Sequence, residues 1–135
     1  MKHIHYTEGY KYRLEKPYSN QTQIFGYDID TPFIKLHEDG LLELLPGFAW
    51  DGPSGPTIDD KTNMRGSAEH DAFYKLMRME LIPLDERNII DHWLKSVLID
   101  DGMPDFRASY WYSGVHNFAA QAANPKNKKK VLTAP

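Results

Sequence analysis

The feature that most restricts the fold of this chain is the segment Gly52 to Pro56, which reads Gly-Pro-Ser-Gly-Pro. Two glycines and two prolines within five residues cannot form a helix or a central strand, because proline lacks a backbone donor and glycine does not restrict its backbone. We therefore expect an ordered loop here. The residues before the loop have the pattern of strands, and the residues after it have the pattern of helices. Because 135 residues is the length of a single domain, we expect both parts to belong to one domain.

Strands and turns are predicted before this loop. Residues 33–36 and 41–45 are largely apolar runs, and Asp39-Gly40 between them is a sequence typical of a tight turn, so this region should be a β-hairpin. Residues 10–14 alternate between apolar and basic side chains, which is the period of a half-buried strand. The N-terminal part should form a small antiparallel sheet.

Helical patterns follow the loop. The first helix is predicted to begin between Asp60 and Ser67 and to run to about Met79. Gly66 lies within this range of starting positions, and glycine costs about 1 kcal/mol relative to alanine inside a helix, so the pattern does not specify the first residue of the helix. Pro83 then breaks the chain.

Two more helices are predicted after this break. The second starts after Asp85, which is expected to be its N-cap, and runs to about Ile99. The third is predicted from Phe106 to Ala122. Four apolar residues at helical spacing should form the buried stripe of the second helix: Ile90, Leu94, Val97 and Leu98.

These patterns predict an α+β fold in one domain, residues 1–124. Residues 1–49 should be rich in strands, residues 50–59 should be the glycine loop, and residues 60–124 should be a helical half containing an antiparallel helix pair. Residues 125–135 are rich in lysine and are predicted to be a solvated basic tail.

Composition excludes several classes of function. The chain has no cysteine, which excludes disulfides, thiol nucleophiles and zinc sites that use cysteine. Its net charge of −3 gives no general attraction to nucleic acid. We expect neither a signal peptide nor a transmembrane segment, since no apolar run approaches the roughly 20 residues that a spanning helix needs. Any membrane contact should be peripheral.

The strongest chemical signal lies on the first two predicted helices. His70 and Tyr74 are four residues apart and therefore share one face. Asp91 borders the apolar stripe of the second helix, and a buried acid needs a partner. If the two helices pack antiparallel, Asp91 reaches His70 and Tyr74. The carboxylate would then hold one ring nitrogen of His70 and leave the other free as a base.

Asp71 should point elsewhere, because it follows His70 by about 100° around the helix. A hard cation such as calcium takes six to eight oxygen ligands, including carboxylates and backbone carbonyls. The glycine loop is able to turn carbonyl groups inward, so Asp71 and the loop together are a candidate ion site. His37 and His116 are expected to lack partners, and His92 is expected on the surface.

This region resembles phospholipase A2, most closely the disulfide-free form in the parvovirus minor capsid protein. The shared pattern is a glycine loop, a His-Asp-x-x-Tyr helix from His70, and a second helix with an inward acid within Ile90 to Leu94. Gly52 precedes His70 by 18 residues, and His70 precedes Asp91 by 21 residues. The resemblance implies the fold and a calcium-dependent hydrolase of acyl esters such as phospholipid.

The same resemblance implies a role for each site residue. His70 would be the general base that activates water, oriented by Asp91 with help from Tyr74. The implied calcium ligands are Asp71 and the carbonyls of three loop residues, which are Trp50, Gly52 and Ser54. The ion and the Gly52 amide would stabilise the oxyanion.

Most of the chain also resembles an uncharacterised family of tailed phages and prophages. The matching stretches are Gly47 to Pro56 and the Ser-x-x-His-Asp-x-x-Tyr run from Ser67 to Tyr74. This resemblance implies a phage protein, located in the virion or the cytoplasm of an infected bacterial host, with other virion proteins as partners. A second function therefore stays open, a non-catalytic virion or tail accessory with a structural His-Asp cluster. An enzyme should have an open cleft at His70, and an accessory protein should have His70 sealed.

Overall fold

The chain folds as α+β, as predicted, and its described residues form strands mainly before the glycine loop and three helices after it. The computed structural model describes residues 4–6, 12–51, 61–118 and 132–134. The strands are β1 (Ile4–Tyr6), β2 (Tyr12–Arg13), β3 (Tyr18–Gln21), β4 (Ile29–Asp30), β5 (Ile34–Leu36), β6 (Leu41–Leu44), β7 (Ala49–Trp50) and β8 (Leu132–Ala134). The helices are α1 (Met64–Arg78), α2 (Arg87–Asp100) and α3 (Asp105–Phe118).

The main sheet has four antiparallel strands in the order β3-β6-β5-β4. The predicted hairpin is confirmed as β5 and β6, with Leu36 opposite Leu42. Gly40 in its turn has φ +89°, and a Cβ atom there would lie 2.5 Å from the Thr22 carbonyl oxygen, so only glycine fits. Alternate residues of both strands are buried, which gives the sheet one apolar face.

Two short strand pairs accompany the main sheet in the part of the chain that the structure describes. β2 pairs with β7, so Tyr12 lies opposite Trp50 at the start of the glycine loop. β1 pairs with β8, which lies inside the segment predicted to be a basic tail. Of the glycine loop itself, residues 52–59 lie outside the described residues.

The helix boundaries agree with the sequence patterns except at the start of α2. Asp85 was predicted to be the N-cap, and this prediction is wrong. Leu84–Glu86 instead form a 3₁₀ turn, in which the Glu86 amide donates to the Pro83 carbonyl, and Glu86 precedes α2 without a side-chain capping bond. Pro83 is extended, so the chain enters this tight turn before the α-helix begins. The predicted end of α3 at Ala122 lies outside the described residues.

The core lies between the apolar face of the sheet and the helices. α1 packs against α2, and α2 packs against α3. The predicted stripe of α2 is confirmed, with each of its members at most 3% exposed: Ile90, Leu94, Val97 and Leu98. Trp93 is half-buried at the edge of this core.

Gly66 is explained by the packing of α1 on α2. A Cβ atom at Gly66 would lie 2.9 Å from Cδ1 of Leu94 and 3.1 Å from Cδ2 of Leu98, and both leucines are buried. The glycine therefore lets the two helices approach closely, which offsets its low helix propensity.

We expect Gly66→Ala to lower the free energy of unfolding by about 1 kcal/mol, because overpacking outweighs the gain in helix propensity. Gly114→Ala in α3 is the matched control, since a Cβ atom there would meet nothing within 4 Å. The control should raise stability by about 0.5–1 kcal/mol. Urea denaturation measures both changes, and equal gains in the two variants would contradict this account of Gly66.

Candidate functional site

The predicted contact between α1 and α2 is present in the structure. Nε2 of His70 lies 2.7 Å from Oδ1 of Asp91. The Tyr74 hydroxyl donates a hydrogen bond of 2.7 Å to the same carboxylate oxygen. The rings of His70 and Tyr74 are 4.1 Å apart between centroids, as expected for residues one helical turn apart. The helices thus bring together three of the predicted site residues.

The second oxygen of Asp91 has partners that the sequence did not reveal. Nδ1 of His116 on α3 lies 3.2 Å from Oδ2, and NH1 of Arg87 lies 3.7 Å from the same atom. The prediction that His116 lacks a partner is therefore wrong. His37 also has one, since its Nε2 lies 2.5 Å from Oε2 of Glu43 in the neighbouring strand. His92 is exposed, as predicted.

Asp91 is an anion held entirely by protein groups, since none of its surface is exposed. Burial alone would raise the pKa of its carboxyl group, but the hydrogen-bonded neighbours, first of all His70, outweigh burial and lower the pKa. Burial raises the pKa of the Tyr74 hydroxyl, and the adjacent Asp91 charge raises it further. Tyr74 therefore remains a protonated donor at neutral pH.

The carboxylate also determines the tautomer of His70. An acceptor at 2.7 Å from Nε2 places the imidazole proton on that nitrogen, which leaves Nδ1 with a lone pair. Among the described residues, no group forms a hydrogen bond with Nδ1. The His70 side chain is 10% exposed, so solvent access to the ring is narrow. This geometry suits a general base that takes a proton at Nδ1.

Asp71 lies beside the ammonium group of Lys75 rather than beside the residues that surround Asp91. Its Oδ2 atom is buried and has no hydrogen-bond partner in the described part of the chain, and Nζ of Lys75 is 3.7 Å away. Burial raises the pKa of the Asp71 carboxyl, and the charges of Lys75 and Arg78 offset this only in part. Lys75 also donates to the Ala49 carbonyl of β7. It therefore links α1 to the strand that enters the glycine loop.

The other predicted ion ligands are described only at Trp50. Its side chain is buried and stacks on Phe48, with 5.8 Å between ring centroids. Gly52 and Ser54 lie outside the described residues. Within residues 12–51 and 61–117, no three His, Asp or Glu side chains form a group that would hold a metal.

A second buried carboxylate, Glu69, was missed by the sequence analysis. It is 1% exposed, and its Oε1 accepts a 2.9 Å hydrogen bond from Nε1 of Trp93 on α2. Its Oε2 accepts hydrogen bonds from the Tyr18 hydroxyl at 2.5 Å and the Asn20 amide at 2.9 Å. Both of these donors belong to β3. Glu69 therefore joins the sheet to the helix pair.

Comparisons with known proteins give no match to this chain, whether with family models, curated proteins or solved structures. Of the helices that the structure describes, none is long and apolar enough to cross a membrane.

Proposed function

We propose that this protein hydrolyses acyl esters, with His70 as the general base. One observation supports this more than any other, the pairing of His70 with the buried Asp91 that leaves Nδ1 of His70 without a hydrogen bond among the described residues. Tyr74 donates to the same oxygen of Asp91 and so restrains the carboxylate. The resemblance of the motif to phospholipase A2 identifies phospholipid as the substrate class to test.

In the proposed reaction, Nδ1 of His70 accepts a proton from a water molecule while the water oxygen attacks the ester carbonyl carbon. The negative charge of Asp91 stabilises the imidazolium that forms. The tetrahedral intermediate then expels the alcohol oxygen, which takes the proton from Nδ1, so His70 returns to its neutral form. The Gly52 amide is the proposed donor to the oxyanion.

Calcium is the cofactor that the resemblance implies, and Asp71 is the described residue that fits it. A buried carboxylate oxygen without a hydrogen bond among the described residues is a suitable ligand for a hard cation. The carbonyls of Trp50, Gly52 and Ser54 would complete the site, and a bound ion would polarise the ester carbonyl. Lys75 lies beside the same oxygen, however, and its ammonium group would compete with the ion.

The hydrolysis experiment uses phospholipid vesicles and a soluble acyl ester with native protein, His70→Gln and His92→Gln. His92 is the control because it is an exposed histidine whose Nδ1 bonds to the backbone carbonyl of Asn88 rather than to Asp91. We expect His70→Gln to lower kcat/KM by about 100-fold or more, the usual contribution of a general base. His92→Gln should keep native activity. Native protein that releases no fatty acid from either substrate would contradict the proposal.

Calcium binding is tested separately by calorimetry, which does not depend on activity. We expect weak binding to the native protein, with a dissociation constant of about 1 mM, and no binding to Asp71→Asn. Lys75→Met should bind more tightly than the native protein, because the competing ammonium group is gone. Binding that survives in Asp71→Asn, or that is unchanged in Lys75→Met, would remove this site from the proposal.

The second candidate is the non-catalytic phage accessory protein, and the narrow exposure of His70 favours it. Only 10% of the His70 side chain is accessible, and Asp91 connects all three helices through His70 and His116. In this function the cluster would hold the helices together for assembly into a larger particle. The absence of hydrolysis, together with loss of stability in variants of the cluster, would support this candidate.

A further inference from the structure

His116 contacts Oδ2 of Asp91, the carboxylate oxygen that does not bond to His70. Nδ1 of His116, in the last turn of α3, is 3.2 Å from Oδ2, whereas Nε2 of His70 is 2.7 Å from Oδ1. Because Asp91 is fully buried, each of its oxygens depends on protein donors rather than on bulk water. The two histidines therefore restrain one carboxylate from both sides.

The position of His116 is itself built by two elements. Its ring stacks on Tyr112, with 5.4 Å between centroids and 15° between planes. NH1 of Arg87 on α2 donates a 2.7 Å hydrogen bond to the backbone carbonyl of His116. The Arg87 bond thus fixes the backbone of His116 relative to α2, which carries Asp91, and the stack on Tyr112 of the same helix restrains the ring. Both contacts argue against a chance surface contact.

We propose that His116 is a positioning residue that acts on His70 through Asp91. This inference rests on the proposed function, in which His70 is the base. The hydrogen bond to Oδ2 restrains rotation of the carboxylate, so Oδ1 stays directed at Nε2 of His70. Without His116, the described cation nearest that oxygen is Arg87, whose NH1 is 3.7 Å away. The carboxylate would then turn towards Arg87, and the bond to His70 would lengthen.

The first test needs no substrate. NMR of ¹⁵N-labelled histidine side chains measures how fast the Nε2 proton of His70 exchanges with water in native protein and in three variants. In His116→Ala, exchange should be faster by about ten-fold or more, the order expected from losing one charge-assisted hydrogen bond. His116→Asn should restore slow exchange, because its amide is able to donate one hydrogen bond. His37→Ala is the control, because His37 is an exposed histidine that bonds to Glu43 in the sheet, and it should behave as native protein does.

The second test is kinetic. His116→Ala should lower kcat about ten-fold with KM unchanged, and His116→Asn should recover most of this loss. A folded His116→Ala protein with native exchange at His70 would overturn the inference. Should the alanine variant not fold, His116→Asn is compared with His116→Gln, whose longer side chain misplaces the amide, and equal exchange in both would overturn it as well. Altered exchange in a protein without hydrolytic activity would sustain the positioning role while the proposed function fails.

Discussion

Asp91→Ala is expected to lower the free energy of unfolding by about 3–5 kcal/mol at neutral pH. This is the usual cost of removing one partner of a buried charged pair while the other partner remains. The variant removes the acceptor for two short hydrogen bonds, from His70 and Tyr74, and leaves Arg87 near a site with no anion. Asp91→Asn should cost less, because its amide oxygen still accepts both of these bonds, although its NH2 group then faces His116 and Arg87. Denaturation by urea at pH 7 measures both changes.

The same substitution should change the response to acid. The pKa of Asp91 is lower in the folded protein than in the unfolded chain, so its contribution is complete above the unfolded pKa of about 3.9. It is lost as the pH falls through the folded value. Native protein should therefore lose stability on acidification below about pH 4, and Asp91→Ala should lose less over the same range.

Asp30→Ala is the matched control for both measurements. Asp30 is an aspartate whose side chain is 76% exposed, and it lies 3.9 Å from Nζ of Lys35. Exposed pairs of this kind contribute little to stability. Should Asp91→Ala cost no more than this control at pH 7, the cluster would not hold the three helices together.

The contact between His70 and Asp91 was predictable because the constraints on it are local. Spacing along α1 places His70 and Tyr74 on one face, and the apolar pattern of α2 turns Asp91 inward. The short connection between the two helices favours antiparallel packing, and this packing brings the three side chains into contact. Local periodicity was sufficient for this part of the site.

The partners from α3 were not predictable in this way. His116 reaches Asp91 only because α3 packs on α2 in a particular register, and nothing in the sequence pattern specifies that register. A weak signal was available in Arg87, which precedes Asp91 by one helical turn and marks the side of α2 that carries charge. The role of Gly66 was hidden for the same reason, since it depends on the distance between two helices.

The contacts of Glu69, which join the sheet to the helices, were also not predictable from local sequence patterns. Tyr18 and Asn20 alternate along β3 and therefore share one face, but their partner is 49 to 51 residues away in sequence. Burial raises the pKa of the Tyr18 hydroxyl, and the charge of Glu69 raises it further. Tyr18 therefore stays protonated and donates to Glu69, while its oxygen accepts a 2.9 Å bond from Nε of Arg65.

We expect Glu69→Ala to lower the free energy of unfolding by about 3 kcal/mol or more. The change leaves the hydrogen-bond donors of Tyr18, Asn20 and Trp93 without their acceptor. A fully buried unsatisfied group costs about 1–3 kcal/mol, and each of these half-buried donors should cost about 1 kcal/mol, the lower end of that range. Trp93→Phe is the control, because it removes a single donor and should cost only about 1 kcal/mol. Urea denaturation of the two single variants and the double variant measures how far the effects overlap.

The double variant, Glu69→Ala with Trp93→Phe, shows whether the hydrogen bonds of Glu69 depend on one another or contribute separately to stability. If Glu69 organises all three donors, the double variant should be little worse than Glu69→Ala alone, because the Trp93 bond is already lost. Full additivity of the two losses would contradict this. Since Glu69 bonds to β3 and α2 rather than to His70, folded Glu69→Ala protein should keep native hydrolysis, whereas Asp91→Ala should lose it. That contrast separates the carboxylate that joins the sheet to the helices from the carboxylate proposed to support the base.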